Sequence, residues 1–409
     1  MNIVIVGGST AGVQVARMLR FYDKKSTITI VDSSPHTQYS PCSLPYFIEG
    51  KISYKDLFVY EQYDQDTILL HNNTTITKIE PKHVIGVDAQ GKEKLFSYDV
   101  LVIATGSRPK QIRCQGKAPL FLKTLDDAKK IKDSSGPFVI LGAGYIGCEL
   151  AASLAKKGET VQLVEMQNQV LAQLDADMSQ IVFSYLQSLG VEIFLETSLD
   201  SFQIDKQTLI QTCGFEPNTQ LLEDNNFPIQ TNEFLQVKEN IYVVGDVAKV
   251  KNKQTQKYEH SFFANTAMIQ ANMVVSNIVG KKQIYPGFLT NAISKIGDLD
   301  VGIVGTRTEE ACVFAKYKGF DAYVSCGGKE LTVKLFVNKD GVIQHAQIIG
   351  YKEVSGRLNW IAHCIEHSHT LDDLIRVQTC YNPCVATILD PVIEAAKICR
   401  KKLLLLQKR

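Results

Sequence analysis

Two apolar runs in this chain break into glycine in the same way, and few folds accommodate both. Ile3-Val4-Ile5-Val6 leads into Gly7-Gly8-Ser9-Thr10-Ala11-Gly12, and Phe138-Val139-Ile140-Leu141 leads into Gly142-Ala143-Gly144-Tyr145-Ile146-Gly147. An unbroken apolar run of this length reads as a strand buried on both faces of a parallel sheet. The glycines allow a sharp turn into a helix whose first amides and dipole attract a pyrophosphate. Roughly 20 residues beyond each turn, the distance such sites use, a second apolar strand ends in an acid, Asp32 in one case and Glu165 in the other. A carboxylate there accepts hydrogen bonds from ribose hydroxyls. One glycine turn ends many ordinary strands, but two complete strand, turn, helix, strand, acid units predict an α/β chain with two nucleotide-binding domains. Ser9 stands where the simple pattern has its middle glycine, so the second site is the cleaner match.

With 409 residues the chain has room for two or three domains. Its hydrophobic fraction of 45% and net charge of +1 exclude a disordered chain and give no reason to expect nucleic acid as a partner. The N-terminal apolar stretch lacks a basic leader and runs into the glycine turn, so it is expected to be a core strand. No segment approaches the roughly 18 apolar residues that cross a bilayer. The tail Lys401-Lys402-Leu403-Leu404-Leu405-Leu406-Gln407-Lys408-Arg409 reads as the end of a packed helix rather than a membrane anchor. Ten cysteines without paired spacings predict reduced thiols in a cytoplasmic setting, most of them small buried hydrophobes.

The remaining pattern sets boundaries. Lys94 to Ala104 reads as a return strand ending in Ala104-Thr105-Gly106-Ser107-Arg108-Pro109, and a polar linker follows around 110–119. Thr124 and Asp127 form a capping-box pair for a helix over 126–132. A second helix is expected from Met178 to Leu189, ended by Gly190. Ile241-Tyr242-Val243-Val244-Gly245-Asp246 delivers an acid from another apolar strand into a helix start, where it either holds a nucleotide's sugar or caps the helix. The last 120 or so residues carry no glycine fingerprint. There Leu331 to Val337 and Val342 to Ile349 flank a hairpin turn, with helices over 352–367 and from Asp390 onward.

One residue stands out for chemistry. Cys42, in Tyr39-Ser40-Pro41-Cys42-Ser43-Leu44-Pro45-Tyr46-Phe47, follows the strand that ends in Asp32, on the side of a parallel sheet where ligands collect. It is either a redox nucleophile or a structural thiol. Dithiol flavoenzymes place their second cysteine where this chain has Phe47, so a working Cys42 would cycle through a mixed disulfide, a persulfide or a sulfenic acid. His363, His367 and His369 fall short of the four ligands of a structural site, and no metal is expected. Cys380 and Cys384 have no matching pair elsewhere and read as structural thiols.

These segments resemble the pyridine nucleotide-disulfide oxidoreductase family, in particular its single-cysteine branch of coenzyme A disulfide reductases, persulfide reductases and NADH oxidases. The resemblance runs from the Cys42 segment through 104–109, Leu174-Asp175-Ala176-Asp177-Met178, Gly214-Phe215-Glu216-Pro217-Asn218 and Gly245-Asp246 to Tyr381-Asn382-Pro383 and Asp390-Pro391. It implies two Rossmann-like domains and a C-terminal α+β dimerisation domain: residues 1–110 and 225–288 for FAD, 111–224 for NAD(H), and 289–409 for the interface of a homodimer. FAD would take Gly7, Gly8, Ser9, Ala11, Gly12, Asp32, Ala104, Thr105, Gly106, Gly245 and Asp246. NAD(H) would take Gly142, Gly144, Tyr145, Ile146, Gly147, Glu165 and Gly214, with Tyr145 covering the flavin until nicotinamide enters. Glu165 would repel a 2′-phosphate, which favours NADH over NADPH.

Cys42 and the partner subunit's Tyr381 are then the catalytic pair, and the expected reaction is NADH-dependent reduction of a small disulfide or persulfide. An NADH oxidase or NADH:acceptor reductase is the alternative, and a nucleotide-sensing flavoprotein a third reading. Thr10 replaces the histidine of the oxidase and peroxidase relatives, while Phe21 and Pro41 depart from the coenzyme A-binding pattern despite Arg17 and Arg20. The stretch from Leu195 to Cys213 is shorter than in relatives, which predicts a trimmed nucleotide domain.

Overall fold

A computed structural model of the protein describes residues 1–58, 67–114, 118–311 and 313–407. Part of the expected linker, 115–117, and the last two residues of the basic tail lie outside the described residues. The chain divides into two compact units, Met1–Gln115 with Leu120–Ser134 and Cys213–Phe288, and Ser135–Thr212 with Leu289–Arg409 and the short segment Gly116–Pro119.

The first unit is built on a sheet ordered Gln236–Lys238, Ile241–Val243, Val100–Ile103, Asn2–Val6, Thr27–Val31, Ile68–His71. Its neighbours run parallel except at the Gln236–Lys238 edge. Ile5 sits in register with Ile30 on one side and Val102 on the other, and all three are fully buried. Unbroken apolar strands are what a sheet covered on both faces requires. The helix Thr10–Tyr22 packs beside Ala264–Ile278, burying Val15, Ala16 and Leu19. The expected single return strand is instead two, Glu93–Ser97 and Val100–Ile103. The break is held open because Tyr98 N–H donates to Lys82 in an antiparallel three-stranded sheet, whereas Asp99 N–H donates to Asn2 in the parallel one.

The second unit holds parallel strands ordered Glu192–Phe194, Val161–Val164, Phe138–Leu141 and Thr208–Gln211. Helices Tyr145–Lys156 and Ala176–Ser188 accompany them, the latter one to two residues earlier than the spacing predicts. The connection after Phe194 carries one single-turn helix, Leu199–Ser201, before the chain returns directly beside Phe138–Leu141. A five-stranded antiparallel sheet follows, ordered Asn291–Ile296, Leu299–Val304, Ile343–Gly350, Glu330–Val337, Val313–Phe320. The predicted hairpin is its centre, with Leu335 opposite Ala346. Helices Val354–Glu366 and Pro391–Gln407 cover this sheet, and Leu358, Ile361, Ala395, Ala396 and Cys399 fill the layer between.

The capping box at Thr124 is present: its side chain accepts from Asp127 N–H at 3.1 Å, and Asp127 returns the bond to Thr124 N–H at 2.9 Å. The cysteines differ from expectation. Among those described only Cys148, Cys364 and Cys399 are buried, while Cys42, Cys326, Cys380 and Cys384 are exposed. The exposed thiols sit on short turns and loops, which offer no apolar layer to enter. No described helix is long and apolar enough to cross a membrane.

Candidate active site

The first glycine turn is shaped by its own backbone. Gly7 has φ 109°, and a Cβ there would lie 2.2 Å from the Ala104 carbonyl oxygen; one on Gly12 would lie 1.9 Å from the Gly7 oxygen. Side chains are thus excluded at both positions, and the helix from Thr10 starts hard against the strand end. Ser9 is its N-cap with extended backbone, and its hydroxyl makes no capping bond, so the first-turn amides are not satisfied from that side chain. Asp32 accepts from Gly8 N–H at 2.5 Å and from Ser34 N–H at 2.6 Å.

Opposite this turn the later segments converge within the same unit. Thr105 Oγ1 donates to the Asn218 carbonyl at 2.9 Å, and Asn218 Nδ2 donates to the Thr105 carbonyl at 2.8 Å. Gly214, at φ 95°, lies nearby through its carbonyl, which accepts from Lys110 N–H at 2.9 Å. Gly245 N–H donates to the buried Gln270 side chain at 2.6 Å. Asp246 accepts from Ser107 Oγ at 2.6 Å, and Lys123 Nζ donates to the same Ser107 at 2.9 Å while standing 3.7 Å from Asp246. Ser107, Lys123 and Gln270 were not read from the sequence as site residues. Ser107 lies inside a motif already singled out, whereas nothing around Lys123 or Gln270 marks them. Arg20, considered for an anion, is occupied structurally by the carbonyls of Asp23 and Ser26 at 3.0 and 2.8 Å.

The second turn repeats the first almost atom for atom. Gly142 has φ 95°, and a Cβ on Gly147 would lie 1.9 Å from the Gly142 oxygen and 2.7 Å from Thr212 Oγ1. Glu165 accepts from Ala143 N–H at 2.7 Å and from Gln167 N–H at 2.9 Å. Gly144 differs from its neighbours in an informative way. Its φ is −75°, which any residue adopts, and no heavy atom lies within 4 Å of where a Cβ would stand. Nothing in the protein itself demands glycine there, whereas a pyrophosphate drawn to the helix amides does. One residue on, the Tyr145 hydroxyl is buried without a hydrogen-bond partner among the described residues, and burial raises its pKa. An orphaned phenol is expected where a ligand completes the surroundings. Ile146 follows in the first turn of the same helix. Both turns therefore fit a dinucleotide.

Cys42 sits in a single helical turn, Pro41–Ser43, with its side chain exposed. The turn is held by Ser43 N–H donating to the Ser40 carbonyl at 3.1 Å and Ser43 Oγ donating to Ser40 Oγ at 3.0 Å. The short helix Leu44–Glu49 continues from it and stops at Gly50, φ 85°. Lys132 Nζ donates to the Phe47 carbonyl at 2.7 Å and stands 3.9 Å from the Phe47 ring centroid. A cation on the Phe47 carbonyl and on its aromatic face anchors the helix that follows the Cys42 turn. In the other unit Tyr381 is exposed, and its hydroxyl donates to Tyr323 at 3.1 Å; that bond raises the Tyr381 pKa. Tyr323 is a partner the sequence did not reveal. His363, His367 and His369 lie tilted or edge-on to one another with ring centroids 4.3 to 5.9 Å apart, but among the described residues no group of three candidate ligands is placed to hold a metal.

Residues 1–261 match the family model described as pyridine nucleotide-disulphide oxidoreductase. The chain is 31% identical to the NADH oxidase of Methanocaldococcus jannaschii, covering 98% of this chain and 99% of that one. It superimposes on the reduced CoADR-RHD of Bacillus anthracis with a TM-score of 0.93 at 26% identity, over 98% of this chain and 80% of the other. It also matches an NAD-dependent persulfide reductase from A. fulgidus at a TM-score of 0.92 and 26% identity, over 98% and 83%. The duplicated glycine turns, their two acids and these likenesses agree: the chain belongs to the pyridine nucleotide-disulphide oxidoreductase family, whose members are FAD-dependent NAD(P)H oxidoreductases.

Proposed function

We propose that the protein takes electrons from NADH and reduces a low-molecular-weight disulfide or persulfide through Cys42 alone. The observation that carries this reading is an exposed cysteine, anchored by Lys132, with Phe47 where a second cysteine would stand. Residues 1–110 and 225–288 are assigned to FAD, 111–224 to NAD(H) and 289–409 to a dimer interface. FAD would be held by Gly7, Gly8, Ser9, Ala11, Gly12 and Asp32, with Ala104, Thr105, Gly106, Gly245 and Asp246 beside them. When bound, it carries an electron pair from the dihydronicotinamide to sulfur. Gly142, Gly144, Tyr145, Ile146, Gly147 and Gly214 are assigned to the nicotinamide nucleotide. Glu165 favours NADH by repelling a 2′-phosphate.

The chain's own part is positional. The turn 41–43 presents the Cys42 thiol to solvent, and Lys132 fixes the helix behind it. In a mixed disulfide the substrate's sulfur bonds to Cys42, which limits the cycle to one protein thiol. The exposed apolar residues Ile388 and Leu389, a few positions beyond Tyr381, support an interface with a second copy. There Tyr381 would donate a hydrogen bond to the partner's substrate. The cysteine usage favours a cytoplasmic setting.

The test is Cys42→Ser assayed with coenzyme A disulfide, its persulfide, glutathione disulfide, polysulfide and oxygen. Loss of sulfur turnover with retained flavin and retained reduction by NADH is expected. Sulfur turnover that survives the substitution rules out the thiol route. Oxygen consumption that survives while sulfur turnover was never present instead favours an NADH oxidase, the name the Methanocaldococcus relative carries.

A further inference from the structure

The C-terminal half of the second unit brings two exposed cysteines together that are far apart in sequence. Residues 323–326 form a tight turn in which Cys326 N–H donates to the Tyr323 carbonyl at 2.9 Å and Gly328 N–H donates to the same oxygen at 3.0 Å. Gly328 lies so close to the preceding backbone that a Cβ there would stand 2.1 Å from the Ala322 oxygen. A second segment, 381–384, is stapled to it from both ends. Tyr323 N–H donates to the Pro383 carbonyl at 2.9 Å, and Tyr381 Oη donates to Tyr323 Oη at 3.1 Å with ring centroids 6.0 Å apart. Cys384 N–H donates to its own neighbour Asn382 at 3.0 Å, which fixes the backbone that carries its thiol. The two stapled segments thus carry Cys326 and Cys384, both exposed, side by side. A side-chain hydrogen bond with Cys326 is the leading cause of a raised Cys384 pKa.

We propose that Cys326 and Cys384 are a second redox centre, a dithiol that exchanges with low-molecular-weight disulfides and closes into an intrachain disulfide. The Cys326 thiolate attacks one sulfur of the substrate R–S–S–R. The S–S bond breaks, one R–S⁻ leaves, and Cys326 carries the mixed disulfide. Cys384 gives up its proton to solvent and attacks the Cys326 sulfur, the mixed bond breaks, and the second R–S⁻ leaves. The substrate gains two electrons, and the protein pair loses two. A disulfide places its sulfurs about 2 Å apart. Side-chain rotation from a hydrogen-bonded pair on stapled backbones supplies that approach.

The centre does not require Cys42, so it is tested on the full-length flavin-loaded Cys42→Ser protein. That protein is equilibrated in glutathione and glutathione disulfide buffers, quenched in acid, alkylated and digested for peptide mass spectrometry. The expected result is one crosslinked peptide joining 326 to 384, with both thiols lost together and Cys380 still alkylated. Adding Cys384→Ser should replace the crosslink by a glutathione adduct on Cys326 at near-stoichiometric yield. Two separate glutathione adducts on the unsubstituted pair would overturn the proposal. So would thiols that stay alkylatable in the most oxidising buffer, or a crosslink from 384 to 380. None of these outcomes depends on turnover, so the centre can fail while the Cys42 mechanism stands, and the reverse.

Discussion

Gly144→Ala separates what the protein needs from what its nucleotide needs. At φ −75° an alanine is unstrained, and nothing within 4 Å meets its Cβ. Alanine is a poorer N-cap than glycine by roughly 0.5–1 kcal/mol, while a stiffer unfolded chain returns about 0.4–1 kcal/mol. Folding stability should therefore move by less than about 0.5 kcal/mol. On the proposed assignment the methyl nevertheless fills the space through which a pyrophosphate would reach the helix amides, so NADH affinity should fall tenfold or more, equivalent to at least about 1.4 kcal/mol. Gly147→Ala is the contrasting control. Its Cβ would lie 1.9 Å from a backbone oxygen, where real Cβ atoms keep at least 3.0 Å. Overpacking of that kind costs about 1–3 kcal/mol. Thermal unfolding followed by circular dichroism and NADH titration followed by fluorescence read the two quantities apart. A Gly144→Ala protein with unchanged stability and unchanged NADH affinity would refute the assignment of that open space to the pyrophosphate.

Glu165→Arg should raise kcat/KM for NADPH relative to NADH by at least tenfold, measured with both nucleotides in one assay; an unchanged ratio removes Glu165 from the ribose. Tyr381→Phe should lower sulfur turnover severalfold while NADH reduction of the flavin, followed by stopped flow, keeps its rate; equal losses in both steps would point to a structural role. Lys334 lies 2.6 Å from both Asp175 and Asp177. Burial alone would raise these carboxyls, but hydrogen bonds and charge from Lys334 outweigh it and hold both below their ordinary 3.8. Their contribution is present above that value and lost as pH falls through the lowered folded pKa, so denaturant midpoints should drop below pH 4. Lys334→Met should flatten that acid limb and destabilise the protein at neutral pH by less than the roughly 3 kcal/mol of a buried pair broken outright, because Arg307 stays 2.6 Å from Asp175 and Lys316 3.0 Å from Asp177.

Parts of this architecture were legible because they rest on local rules. The two glycine turns, the capping box at Thr124 and the hairpin at 338–341 each need particular residues at fixed offsets. What the sequence hid was decided by distant partners. The run from Lys94 to Ala104 carries strand residues throughout, yet it splits because Tyr98 and Asp99 bond to different sheets. Lys132 as the anchor of the helix after Cys42, and Lys123 beside Asp246, come from a helix and a loop that no spacing connects to either site. The same holds for Cys326 and Cys384. Taken singly they read as incidental thiols, and only the staple through Tyr323 and Pro383 pairs them.

Asp32 and Glu165 each spend one carboxylate oxygen on the amide of the residue just after the first glycine of their own turn. On the proposed assignment, the group that would select the sugar and the loop that would receive the phosphates are one mechanical part. Natural or engineered drift in cofactor choice at Glu165 must loosen its loop as well, so a switch to NADPH should first emerge as a weak binder of both nucleotides and recover only after a second change re-tethers Ala143.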